Sequence, residues 1–199
     1  MAEDFARWEK RYRTQDTPWD TGHPSTELRR VVAEDNVAPC ATLEVGCGTG
    51  TNAVWLAGQG FAVTGVDVSP LAIERARHQA AAANVAGHFI VGDLLRTPEL
   101  VGPFGFFFDR GVYHYLRTVD LPGYLRVLGQ TLQPGATGLV LAGNARRGRT
   151  GPPVVTEEEI RVELGTLFEI VRLREFHLDA VGDEGDTPLA WSCLLRRRG

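Results

Sequence analysis

Residues 41–50 read Ala41-Thr42-Leu43-Glu44-Val45-Gly46-Cys47-Gly48-Thr49-Gly50. The run ending at Val45 predicts a strand over 41–45. Glycines at alternate positions then predict a sharp turn into a helix over 52–58. Such a turn leaves free N–H groups at the helix start and lets a ligand approach the main chain. A tight turn that holds no ligand is the other reading of the same residues.

Outward from this turn, strands and helices alternate. Strands are predicted at 61–66, 88–91, 104–108 and 137–142. Ser69 caps a helix with Pro70 at its first position, running to about Asn84. A helix over 121–132 stops before Pro134-Gly135, and Thr156 caps another with Glu157, Glu158 and Glu159 in its first turn. Strands at 168–177 and 189–196 follow, separated only by an acidic turn at 183–186. The expectation is an α/β, doubly wound, seven-stranded and mostly parallel sheet with an antiparallel last strand. This differs from the dehydrogenase arrangement. Residues 1–40 read differently. Phe5, Trp8, Glu9 and Tyr12 have helical spacing, 17–24 is rich in proline and glycine, and Pro24-Ser25-Thr26-Glu27 opens a helix with Leu28, Val31 and Val32 inward. The chain is expected to be one domain, with an N-terminal helical segment (1–40) on a core (41–199).

The 199 residues are 43% hydrophobic and 23% charged, enough for a full core in a globular protein. The net charge of -4 and the short basic clusters (Arg146, Arg147, Arg149; Arg196 to Arg198) argue against a nucleic-acid partner. The cysteines Cys40, Cys47 and Cys193 are odd in number, with no Cys-x-x-Cys pair, so neither a disulfide framework nor a zinc site is expected. No metal is expected elsewhere, because no His or Cys pair has ligand spacing on one element. Free thiols and a charged, non-apolar start at 1–13 point to the cytoplasm. No window is long and apolar enough for a membrane span. No Gly-x-Ser-x-Gly elbow marks a hydrolase.

Two nucleotide ligands compete for the glycine loop. A dinucleotide prefers Gly-x-Gly-x-x-Gly, with pyrophosphate on the helix start. Here the spacing is Gly-x-Gly-x-Gly, and the carboxylate of Glu44 would repel pyrophosphate. A cationic head suits it better, such as the ammonium and sulfonium of S-adenosyl-L-methionine. Asp67 ends the next strand, where an acid accepts hydrogen bonds from ribose hydroxyls.

Leu43 to Gly50 resembles motif I of the class I S-adenosylmethionine-dependent methyltransferases. Thr64-Gly65-Val66-Asp67-Val68-Ser69 resembles their second motif and Val91-Gly92-Asp93-Leu94 their third. The resemblance implies their Rossmann-like fold, with Asp67 on the ribose, Val68 on the adenine, Asp93 on the adenine amino group and the Leu94 backbone on the ring. Glu44, Gly46, Cys47, Gly48 and Asn52 complete the expected core donor set. Trp8, Tyr12 and Pro18-Trp19-Asp20-Thr21-Gly22, with Pro24, resemble the N-terminal segment of the thiopurine methyltransferase family and its halide, thiol and tellurite-type relatives. There an aromatic lid covers donor and substrate, which adds Trp8 and Trp19 to the donor set. Phe108-Asp109-Arg110-Gly111 resembles the Asp-Arg-Gly of that group, implying that Asp109 and Arg110 lie near donor and acceptor. Val112-Tyr113-His114-Tyr115 departs from it and is equally similar to small bacterial methyltransferases with a Gly-x-x-His step.

Rings near a sulfonium contribute cation–π attraction of roughly 0.5–2 kcal/mol. Trp8 and Trp19 are the lid candidates, and helix packing onto the core is the other reading of both. Trp55 and Trp191 are expected in the core. In-line methyl transfer draws its rate from alignment and water exclusion. A soft acceptor needs no strong base, whereas a hydroxyl or amine does. Tyr113 and His114 follow the fourth strand, where ligands bind in open sheets. Asp109, Arg110, Tyr113 and His114 are thus the candidate catalytic residues. His114 reads either as a proton acceptor or as a loop histidine held by a backbone carbonyl. His23 is a further pocket candidate.

The expected activity is methyl transfer to a small-molecule acceptor, a thiol, halide, or selenium or tellurium oxyanion. O- or N-methylation of a small metabolite, a donor-binding protein without catalysis, and a nicotinamide oxidoreductase stand as alternatives. Monomer and homodimer both remain open.

Overall fold

A computed structural model of the protein describes residues 2–97, 100–147, 153–179 and 187–199. The chain begins with helices α1 (Ala2–Arg13) and α2 (Thr26–Glu34). Ser25 caps α2, whose Leu28 and Val31 are fully buried. Then come β1 (Ala41–Val45), α3 (Thr51–Gly58), β2 (Ala62–Asp67), α4 (Pro70–Ala82), β3 (His88–Val91) and β4 (Phe104–Arg110). Ser69 caps α4 by accepting from the Ala72 N–H at 3.1 Å, with Pro70 in the first turn where its missing N–H costs nothing. The second half comprises α5 (Tyr113–Thr131), β5 (Leu132–Asn144), β6 (Val154–Val155), α6 (Glu157–Leu164), β7 (Phe168–His177) and β8 (Leu189–Arg197). Thr156 and Glu159 form a full capping box on α6.

The strand order is β3-β2-β1-β4-β5-β8-β7, with β6 added to the end of β5. All pairings from β3 to β6 are parallel, and β8 runs antiparallel to both β5 and β7. This is the Rossmann-like sheet of methyltransferases. The order in which successive strands are added reverses between β1 and β4, which opens the crevice where open α/β sheets bind ligands. Cores fill both faces. Phe106 and Phe108 join Leu28, Leu56 and Ile73 of α2 to α4, while Phe107 joins Tyr113, Tyr124 and Phe168. Alternation along β4 thus divides one aromatic run between two cores. Trp191 is buried, its indole N–H on the Val155 carbonyl, and Trp55 is half-buried against the core.

Three features depart from the sequence reading. The described residues form eight strands, because β6 is only two residues long and too short to show a period. Helix α5 starts at Tyr113, not near 121, and bends at Asp120. The Asp120 carboxylate accepts from the Gly123 N–H at 2.9 Å, so Pro122 sits in the first turn of the second half. The first half forms because buried Asp109 accepts from the Val112 and Tyr113 N–H groups at 2.8 and 3.0 Å. The expected acidic turn at 183–186, and Arg149, lie outside the described residues. No helix among the described residues is long and apolar enough to cross a membrane.

Candidate active site

A cavity of about 520 Å³ opens beyond the C-terminal ends of the parallel strands. Gly46 follows β1, Val68 follows β2, Leu94 and Leu95 follow β3, and Gly111 and Val112 follow β4. Helix α1 and residues Pro18 and Trp19 close the far side.

The glycine turn is set by close approaches. At Gly46, with φ of 63°, an added Cβ would lie 2.3 Å from a Val112 methyl. At Gly48, with φ of 54°, it would lie 2.8 Å from the Tyr12 hydroxyl. Only glycine fits such positions. Asp67 holds the turn from below, accepting from the Gly48 and Ser69 N–H groups, both at 2.9 Å. Burial pushes its carboxyl up to about 6, with the backbone N–H bonds opposing. Glu44 lies fully buried beneath the loop, and burial lifts its carboxyl to about 8. Asn52 donates to Glu44 Oε1 at 3.3 Å and accepts from the Ser25 N–H at 2.8 Å. Glu44 Oε2 is buried with no hydrogen-bond partner among the described residues. Burial also raises the Cys47 thiol well above its usual range, so it is no nucleophile at neutral pH.

The N-terminal segment is tied to the donor loop itself. Glu9 accepts from the Ser69 hydroxyl at 2.5 Å and from the Leu71 N–H at 3.4 Å, at the start of α4. Asp20 accepts from Thr49 at 2.8 Å and Thr51 at 3.4 Å. The rings of Trp8, Tyr12, Trp19 and Tyr115 form a cluster, with Trp8 5.5 Å from Trp19 and 5.9 Å from Tyr115. Arg11 stacks 4.2 Å over Trp19 and Arg7 lies 5.2 Å over Trp8, all lining the cavity.

Among the residues expected from the sequence, Trp8, Trp19, Gly46, Asp67, Val68, Asp93, Leu94, Arg110 and His114 line the cavity. Glu44, Cys47, Gly48 and Asn52 form or support the loop without lining it. The geometry corrects the placement of two candidate catalytic residues. Asp109 is fully buried and spent on capping α5 and on the Tyr124 hydroxyl at 2.8 Å. Tyr113 is fully buried too, and its hydroxyl donates to Glu163 at 2.7 Å, away from the cavity. Both are drawn inward by the early start of α5. His114, on the first turn of that helix, accepts from the Gly143 N–H at 3.1 Å through Nδ1, and burial lowers its pKa to about 4. It is therefore neutral, and a backbone N–H rather than a carbonyl holds it. His23 is exposed and does not line the cavity.

Sequence reasoning missed Arg7, Arg11 and Tyr115 as cavity residues. A signal existed for the first two, since Arg7 and Arg11 are one helical turn apart beside Trp8 and Tyr12. Tyr115 had none, because its helix was not foreseen.

Residues 3–187 match the Thiopurine S-methyltransferase (TPMT) family. A thiopurine S-methyltransferase of Azotobacter vinelandii is 30% identical over 193 residues, covering 88% of this chain and 87% of the relative. A 2-heptyl-1-hydroxyquinolin-4(1H)-one methyltransferase of Mycobacteroides abscessus is 28% identical over 83% of this chain and 74% of its own. A solved structure from work on conversion of a disulfide bond into a thioacetal group during echinomycin biosynthesis superposes with a TM-score of 0.78 at 27% identity, covering 91% of this chain and 85% of that one. The N-methyltransferase NodS of Bradyrhizobium japonicum, solved with S-adenosyl-L-homocysteine, shares the fold with a TM-score of 0.70 at 20% identity, over 87% and 84% of the two chains. The glycine turn, the acid ending β2 and these likenesses converge: the chain belongs to the thiopurine S-methyltransferase family and is a class I enzyme that uses S-adenosylmethionine to methylate small molecules.

Proposed function

We propose that the enzyme methylates a small organic acceptor at a soft nucleophile, a thiol before all others, with residues 1–40 acting as its lid. The observation that carries this reading is the cavity's composition. Its wall is largely aromatic and apolar and carries the cations Arg7, Arg11 and Arg110. An apolar acceptor with anionic character is complementary to that wall.

The residues present fit the donor. Glu44, buried beneath the loop without lining the cavity, would act on the donor's ammonium by its charge from below the turn. Asp67 would hold the ribose, Val68 and Leu94 the adenine faces, Asp93 the adenine amino group, and the Trp8 and Trp19 rings would border the cation. When bound, S-adenosylmethionine supplies a methyl group on a sulfonium, a leaving group that needs no protonation. The chain's own task is then to align, to exclude water and to hold the acceptor. Arg110 serves this by fastening the Trp19 segment over the cavity.

Transfer to oxygen is a second reading. The named activity of the Mycobacteroides relative, on a hydroxyquinolone, and the apolar wall favour it.

Calorimetric titration with S-adenosylhomocysteine tests the donor site, and absence of heat at high micromolar concentration overturns it. A methylation screen with thiophenol, an N-hydroxyquinolone, iodide, selenite and tellurite tests the acceptor. Turnover of the thiol above the others is expected. Turnover of inorganic ions alone rejects the organic-acceptor reading.

A further inference from the structure

Resting on the reading of this cavity as the donor and acceptor site, we propose that His114 is a hydrogen-bond donor locked in one tautomer, and that it selects acceptors that arrive already ionised. Among the described residues, none supplies a general base at the reacting atom.

The lock is geometric. The Gly143 N–H can only donate, so Nδ1, 3.1 Å away, must present its lone pair. The single proton of the neutral ring is therefore on Nε2. Gly143 cannot turn away, because it lies in β5 between Val154 of β6 and Ala190 of β8. The ring is 7% exposed, so a second proton would place a buried cation against an N–H. The other edge of the ring borders Gly111, where an added Cβ would lie 3.3 Å from Cε1 and Nε2, and Gly111 and His114 both line the cavity.

The charged groups that line the cavity among the described residues do not replace His114 as a base. Arg7 and Arg11 from α1 and Arg110 from β4 are cations. Asp179 accepts from the Thr26 N–H at 2.9 Å and its hydroxyl at 2.8 Å. Asp67 is engaged by Gly48 and Ser69, and Asp93 accepts from the Leu95 N–H at 3.0 Å. Burial raises the Tyr12 hydroxyl well above its usual range.

A donor at Nε2, in a cavity whose wall also carries Arg7, Arg11 and Arg110, stabilises an anion. The substrate class is then an apolar weak acid whose nucleophile is ionised near neutral pH, such as an acidic thiol or an N-hydroxy heterocycle. Its proton goes to water before binding. In the transfer the anion's lone pair forms the bond to carbon, and the carbon–sulfur pair stays on the donor's sulfur. Simple alcohols and alkylammonium ions are excluded as acceptors.

Long-range 15N–1H correlation on the labelled protein with S-adenosylhomocysteine, between about pH 6 and pH 8, reads the tautomer directly. A protonated Nε2 and bare Nδ1 throughout are expected. An Nδ1–H tautomer, or an imidazolium in that window, overturns the proposal. Rates with thiophenols of graded acidity give the second test. The inflection of kcat/KM with pH should move with the acidity of the acceptor, in the native enzyme and in His114→Gln, whose amide still donates. His114→Leu should lose about ten- to hundredfold in kcat/KM with unchanged affinity for S-adenosylhomocysteine. An inflection that ignores the acceptor and vanishes in His114→Gln would identify a general base and reject the proposal. Failure of the native protein to bind S-adenosylhomocysteine would instead reject the donor site.

Discussion

Arg110 donates a hydrogen bond of 2.5 Å to the backbone carbonyl of Trp19, across 91 residues of chain. A second bond from the same guanidinium reaches the Asp179 carbonyl. One half-buried side chain at the end of β4 thus holds two segments over the cavity. Arg110→Lys can satisfy only one of them with a point charge. The expected result is at least tenfold weaker S-adenosylhomocysteine binding, with faster proteolysis of the first 25 residues. Unchanged affinity and protection would show that the clamp is dispensable.

The buried acids set a pH dependence. Burial raises Glu44 from 4.5 to about 8, and Asp67 and Asp109 from 3.8 to about 6. A carboxyl whose pKa rises on folding binds its proton more tightly in the folded chain. Its contribution is complete below the unfolded value and is lost as pH climbs through the folded value. The melting temperature of the donor-free protein should therefore fall between about pH 5 and pH 8. Affinity for S-adenosylhomocysteine should rise toward about pH 8 as Glu44 ionises against the ligand's ammonium. Glu44→Gln should weaken binding and flatten both profiles above about pH 6. A Glu44→Gln profile parallel to the native one would remove Glu44 from this role.

Gly48 and Tyr12 form a pair that a mutant cycle resolves. Gly48→Ala meets the Tyr12 hydroxyl at 2.8 Å and must also hold a φ of 54°. The backbone cost is about 1–2 kcal/mol and the clash adds to it. Adding Tyr12→Phe should recover the clash but not the backbone cost. Thermal melts of the two single variants and the double variant measure the difference. A double variant as stable as Tyr12→Phe alone would refute the strain.

Glu27 is 3% exposed and joins α2 to the antiparallel end of the sheet. It accepts from Arg30 at 2.8 Å, and from Arg174 and Ser192. Burial pushes its carboxyl up, but Arg30, Ser192 and Arg174 together outweigh burial and hold it below its ordinary value. Glu27→Ala leaves Arg174 and Ser192 without their carboxylate, while Arg30 keeps Glu34, and should cost roughly 1–3 kcal/mol. Denaturant unfolding measures it. A loss below about 1 kcal/mol would mean that water replaces the carboxylate.

The sheet and the donor loop were legible because their signals are local. A strand, three glycines and a helix follow one another between residues 41 and 58, and Ser69-Pro70 and Thr156 to Glu159 are caps whose partners lie within one turn. The first half of α5 was not legible. Its aromatic residues do not favour a helix, and the capping carboxylate of Asp109 is aimed at it only once β4 is buried.

The sequence by itself thus determined the glycine turn of the candidate site, since the turn at Gly46 to Gly50 and the acid ending β2 are consequences of backbone sterics and strand spacing. Only the tertiary structure decided the opposite wall of the cavity. Arg110 with Trp19, His114 with Gly143, and Arg11 with Trp19 are partners from distant segments. Their roles follow from burial and long-range hydrogen bonding, which no local pattern encodes. That is why Asp109 and Tyr113 lie off the cavity wall, while Arg7, Arg11 and His114 line it.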